Sequence, residues 1–323
     1  MTSPDTVRVP YRKLLAFTRA TFSEHGLPPA RAHTAAAALC YADLRGLAPR
    51  GLAELTALHL PMLDDGRADP DAEPETLHDT GACALVEARG ALGLWAASEA
   101  VDSAIDRAQQ HGVGLVSVRG GTPFGCAGVH AIRATRDGMI GVVASTGGPA
   151  SPGPDHPVAA AAPALDQRPF ALDLSATMTR EDPDFPQPPR EDELRWPADL
   201  AERPGQPSTA AFAPLLAAML CGSTGSPFDF AGTGGTDFVA LALDPRAICP
   251  GHDTIGTARS LFTTFVPQIP TTAGRGGGTR YPGWLEAERA HHALHAGVPL
   301  PRPLHEELVS LGLEDAEQVP VPV

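Results

Sequence analysis

Residues 82–118 read ACALVEARGALGLWAASEAVDSAIDRAQQHGVGLVSV, and this stretch decides the fold. Ala82 to Glu87 is a run of strand length. Ala91 to Gln110 then places Leu94, Ala97, Val101, Ile105 and Ala108 on one face at helical spacing, and Gly112 ends it. Val113 to Val118 is a short apolar run that suits a buried strand. Further on, Gly128 to Asp137 reads as a helix and Met139 to Ala144 as another buried strand. Such alternation predicts an α/β layer structure.

Towards the N-terminus the period is helical throughout. Tyr11, Leu14, Leu15, Thr18 and Phe22 form one face of a helix closed by His25-Gly26. A second helix begins after Pro28-Pro29 and runs to about Leu44, and a third is expected from Gly51 to Asp64, burying Leu52, Leu55, His59 and Met62. A charged, proline-containing segment, Asp64 to Glu75, follows. Beyond residue 144, Gly147 to Pro169 is rich in proline and alanine, Phe170 to Leu174 reads as a strand, and Thr179 to Pro207 as a surface loop. Ala210 to Cys221, Thr257 to Val266, Trp284 to Ala296 and Leu304 to Leu311 are expected helices, and Phe238 to Leu243 a strand. Three regions follow from this reading: an N-terminal helical dimerisation region (1–76), a central domain (77–235), and a C-terminal segment that packs back on the first (236–323).

Composition limits the chemistry. The 323 residues carry a net charge of −14, which disfavours nucleic acid and anionic membranes as partners. No apolar run approaches the roughly 20 residues of a membrane span, and MTSPDTVRVP lacks the basic start and apolar core of a signal peptide. The expected location is therefore cytoplasmic. Five scattered cysteines show neither a disulfide framework nor a zinc spacing. Lys13 is the only lysine and asparagine is absent, so a Schiff-base mechanism, or a lysine gripping phosphate, has a single candidate on an N-terminal helix.

Ala42–Gly46 (ADLRG), Gly112–Gly120 (GVGLVSVRG), Phe124–Gly128 (FGCAG) and Asp137–Val143 (DGMIGVV) stand in an order and spacing that resemble the type-2 malate/L-lactate dehydrogenase family. Leu172–Thr177 (LDLSAT), Val239–Asp244 (VALALD) and Tyr281–Pro299 extend the likeness. The resemblance implies a homodimer and a three-layer α/β/α fold. Its sheet is mixed and sulfolactate dehydrogenase-like, not Rossmann, and it binds NAD(P)H without GxGxxG; no GxGxxG occurs here. It also implies an active site built from an SHG motif, an Arg four residues after its His, and a His before FG. At those positions this chain has Pro49-Arg50-Gly51, Glu54 and Pro123. The Lys-containing cofactor segments have no counterpart either, with Ser208 to Pro214 (STAAFAP) standing where one belongs.

An arginine in place of that histidine exchanges proton transfer for fixed charge, because with a pKa above about 12 it is essentially never neutral at pH 7. Arg50, Glu54, Cys126 and His130 are the candidate catalytic residues, and Arg45, Thr122, Phe124 and Thr146 the candidate substrate contacts. For Cys126 and His130 the alternative is a buried thiol and a surface histidine. For Arg50 and Glu54 it is an ion pair plugging a dead site. Gly232–Gly235 and Gly274–Gly278 lack the Lys-Ser/Thr of a phosphate loop, and His291, His292 and His295 lack a companion carboxylate motif for a metal; Asp155-His156 lacks a Ser or Cys partner.

Three functions stay open on this reading. The first is an enzyme of actinobacterial-type specialised metabolism, repurposed for non-redox chemistry on a small carbonyl or carboxylate compound and needing no cofactor. The second is a reductase of a cyclic imine or 2-oxo acid, which would take NADPH or NADH. The third is a non-catalytic binding subunit.

Overall fold

The computed structural model describes residues 6–47, 50–146, 158–164, 168–173, 216–222, 235–251, 253, 256 and 282–314. Strand β1 (Thr6–Val9) leads through Pro10 into α1 (Tyr11–Glu24), and α2 (Pro29–Arg45) follows Pro28. Both prolines stand just before a first helical turn, where a missing N–H costs nothing. After α3 (Leu60–Asp64) come β2 (Glu75–Asp79), β3 (Cys83–Glu87), α4 (Gly93–His111), β4 (Val113–Gly121), α5 (Ala127–Ala131) and β5 (Ile140–Ser145). Then follow β6 (Val158–Ala162), β7 (Phe170–Asp173), β8 (Thr236–Leu243), α6 (Pro245–Ile248), α7 (Trp284–Ala296), β9 (Val298–Pro301) and α8 (Arg302–Ser310).

The main sheet has seven strands in the order β2-β3-β4-β8-β5-β6-β7. Only β3 and β4 run parallel; every other neighbouring pair is antiparallel. The parallel pair is the one joined by α4, as a crossover between parallel strands requires. Leu94, Trp95, Ala97, Val101, Ala104 and Ala108 on α4 are buried with Val116 and Val118 of β4 and Phe238 and Ala240 of β8 in one core. This is the expected α/β fold with a mixed sheet. Among the described residues no helix is long and apolar enough to cross a membrane.

Several elements depart from the sequence expectation. Strand β8 lies between β4 and β5, so the boundary drawn at residue 235 does not separate it from the central sheet. Strands β1 and β9 form a two-stranded sheet of their own, tying the N-terminus to the C-terminal segment. Strand β6 is VAAAA, a sequence of poor intrinsic strand preference that becomes a strand by pairing with β5 and β7. The expected helix from Gly51 to Asp64 forms from Ala53 on, and winds as a π-helical turn at Leu55–His59 before continuing as α3. The helix expected to end at Cys221 is described only over 216–221. The Thr179–Pro207 loop and the Thr257–Val266 helix lie outside the described residues.

Candidate active site

The site is built where the Arg50–Glu54 turn meets the Phe124–Gly125 turn. Helix α2 ends at Gly46, which takes φ 73, and the chain comes back so that Asp43 of α2 accepts the Leu52 N–H through its carboxylate. A Cβ on Gly51 would run into that carboxylate, so the close approach requires glycine. On the other side Gly125, at φ 74, brings its Cα close to Leu94 and to the Arg50 carbonyl. A glycine-dependent turn on each side thus seats Arg50 against the second turn.

Arg50 Nη1 donates to Glu54 Oε1 at 3.2 Å. Both side chains are largely covered, with 10% and 15% of their surface exposed. Glu54 Oε2 is 3.8 Å from Nε2 of His59, which is wholly buried. Neither ring nitrogen of His59 has a hydrogen-bond partner. The order Arg50–Glu54–His59 therefore runs from a cation, through a partly exposed carboxylate, to a sealed imidazole. The sequence reading placed His59 among core positions. Its proximity to Glu54 arises from the π turn, for which residue spacing gave no signal.

Cys126 and His130 are brought close to this junction, but both face inward. The Cys126 thiol donates to Asp173 Oδ2 at 3.0 Å, and burial, with the Asp173 charge beside it, pushes its pKa well above the usual thiol range. A thiol held protonated in this way is a poor nucleophile. His130 is wholly buried, not on a surface. Its Nε2 lies 2.9 Å from the Phe124 carbonyl, which can only accept, so that nitrogen carries the proton and Nδ1 accepts from Ser98 Oγ at 3.1 Å. Burial lowers its pKa to about 4. With both nitrogens committed, His130 fixes the Phe124–Gly125 turn and has neither left for a substrate.

The candidate substrate contacts divide in the same way. Thr122 is buried and its Oγ1 accepts the Gly93 N–H at the start of α4. Phe124 is buried in edge-to-face contact with His130 and Phe238. Thr146 bonds the Asp237 backbone across the end of β5 and β8. These three side chains support the site from within. Arg45, in the last turn of α2, lies over the Tyr41 ring at 4.6 Å. Its charge also bears on Glu286, whose pKa is raised first of all by burial.

No group of three or more metal-ligating side chains occurs among the described residues. Several basic side chains among the described residues are engaged with carboxylates. Arg107, Arg119, Arg133 and Arg246 are ion-paired to Asp79, Glu87, Asp102 and Asp244, and Lys13 sits on α1, 3.9 Å from Glu314.

The scaffold is a mixed-sheet α/β fold of seven strands. The sequence profile of the malate/L-lactate dehydrogenase family matches residues 9–182, and the chain belongs to that family. The malate dehydrogenase of Pyrococcus horikoshii is 29% identical over 180 residues, a match spanning 53% of this chain and about half, 49%, of that protein. The (2R)-3-sulfolactate dehydrogenase (NADP(+)) of Chromohalobacter salexigens is 25% identical over 88% of this chain and 91% of its own.

Among solved structures, malate dehydrogenase from Pyrococcus horikoshii OT3 superposes with a TM-score of 0.75 at 20% identity, covering 98% of this chain and 99% of the other. Sulfolactate dehydrogenase from Methanocaldococcus jannaschii gives 0.72 at 18% identity, covering 94% and 96%. At such identities the likeness concerns the fold.

Proposed function

We propose that the chain is an oxidoreductase acting on a small carboxylic acid with a neighbouring carbonyl, imine or hydroxyl group. In this reading Arg50 holds the carboxylate and Glu54 moves the proton. The observation that carries it is the Arg50–Glu54 pair: a guanidinium and a carboxylate 3.2 Å apart, both largely covered, on a segment whose Arg50 carbonyl lies beside Gly125. A guanidinium–carboxylate contact supplies about 1.5–3 kcal/mol of binding and fixes orientation. A positioned carboxyl group contributes roughly 10²- to 10⁴-fold as general acid or base.

Reduction also needs a hydride, which NAD(P)H supplies when bound. The proton-transfer half is what the Arg50–Glu54 pair supplies.

In a second reading, prompted by Lys13 being the chain's only lysine, Glu54 shifts a proton on a carbonyl compound and the reaction is an isomerisation or elimination. Calorimetric titration with NADPH and with NADH separates the two. Micromolar binding of either is the expected result, and its absence for both would overturn the reductase reading in favour of proton transfer alone. We further propose that two copies of the chain associate as a homodimer, on the family resemblance.

A further inference from the structure

We propose that His59 is the proton store behind Glu54, so that carboxylate and imidazole work as one coupled pair. The inference rests on the reading of Glu54 as the group that moves the proton. In an α-helix, residues five apart are separated by about 140° around the axis, so a histidine in this position would face away from Glu54. The turn at Leu55–His59 is instead π-helical, closed by the Leu60 N–H on the Leu55 carbonyl. The additional residue in that turn brings His59 round towards the face occupied by Glu54. The outcome is the 3.8 Å separation between His59 Nε2 and Glu54 Oε2, a gap that a small rotation of the carboxylate closes.

Two further observations point the same way. The His59 ring is wholly buried with neither nitrogen hydrogen-bonded, and a native protein seldom leaves such a group buried without a use. Glu54 Oε2 is the matching orphan on the other side of the gap, while Oε1 is held by Arg50. The charged groups on or beside this turn are Glu54, Arg50 and Asp43 of α2, which holds the Leu52 N–H.

The proton leaves His59 Nε2, passes to the Glu54 carboxylate, and goes on to a basic oxygen or nitrogen of the substrate. His59 ends neutral and Glu54 ends as the carboxylate it began. The reverse transfer returns the proton by the same route. Glu54, whose side chain keeps 15% of its surface exposed, links the sealed ring towards solvent, so the pair reloads through Glu54.

Two-bond proton–nitrogen correlation spectra of the ¹⁵N-labelled full chain at about pH 6 test this, since ring nitrogen shifts report charge and tautomer directly. The His59 signals are identified by their loss in His59→Gln. In the wild type they are expected to show a proton on both ring nitrogens, and in Glu54→Gln a neutral ring. Should Glu54→Gln fail to fold, Glu54→Asp draws the carboxylate back by one methylene and is expected to shift the ring towards the neutral form. The neutral His130 ring, protonated on Nε2, is the internal control for the fold. A His59 ring that keeps the same charge in wild type and variant overturns the proposal.

Calorimetry with oxalate as a carboxylate probe tests the Arg50 reading separately. Oxalate that fails to bind, beside the expected His59 spectra, overturns the substrate role of Arg50 and leaves the coupled pair standing.

Discussion

Arg50 is the residue on which the substrate reading turns. Lysine keeps its charge and loses the planar fork that meets a carboxylate with two hydrogen bonds. Arg50→Lys is therefore expected to weaken oxalate binding at least about tenfold by calorimetry, equivalent to about 1.4 kcal/mol; an unchanged affinity would reduce the pair to a structural ion bridge. His130 makes a different prediction. Its folded-state pKa of about 4 lies below the ordinary value of 6.5, so between these limits the unfolded chain binds the additional proton. The stability from this residue is complete above about pH 6.5 and is lost as pH falls towards about 4, by up to ~3 kcal/mol. Urea denaturation at stepped pH is expected to show this loss in the wild type. In His130→Gln, which has no titrating ring, the slope over that window is expected to flatten.

At the scale of elements, the site depends on junctions between secondary structures. Helix α4 begins without a side-chain cap of its own, and Thr122, just past the end of β4, supplies the acceptor for the Gly93 N–H at 2.9 Å. Thr122→Val keeps the shape and leaves that buried N–H unsatisfied, with an expected cost of about 1–3 kcal/mol in chemical denaturation. Oxalate affinity is expected to stay within about twofold, because the buried hydroxyl is committed to the Gly93 N–H. A large change in affinity with intact stability would return Thr122 to the substrate. The π turn is an element of the same kind. Residues 51–64 carry helical periodicity, yet Asp43 takes the Leu52 N–H and the chain passes through short-range turns before its regular helix begins.

For the whole molecule, the family resemblance implies a homodimer, expected through the N-terminal helical region. In the structure Leu14, Phe22 and Leu39 of that region are fully buried within the chain. The more exposed large apolar side chains lie elsewhere, with Met219 at 80% and Ile248 at 67%. The dimer therefore rests on the family resemblance alone. Static light scattering at micromolar concentration is expected to give about twice the 33.5 kDa of one chain; a single-chain mass would remove the dimer.

The sequence by itself determined the α/β class, the existence of α1, α2, α4, α7, α8, β3, β4, β5, β7 and β8, and the family. Each of those elements carries its own period or apolar run, and the family motifs are contiguous in the chain. It also brought Arg50 and Glu54 together, because residues four apart on a helical turn are neighbours whatever surrounds them. Only the tertiary structure decided the rest. Strands β1, β6 and β9 exist through their partners, and β8 enters the middle of a sheet whose adjoining strands lie more than a hundred residues earlier in the chain for β4 and about ninety for β5. His130 and Cys126 turn inward because Phe124, Ser98 and Asp173 wait there for their donors and acceptors. His59 reaches Glu54 because one turn is wound as π. A linear pattern carries spacing along the chain, and these features depend on which distant groups the packed chain leaves to satisfy one another.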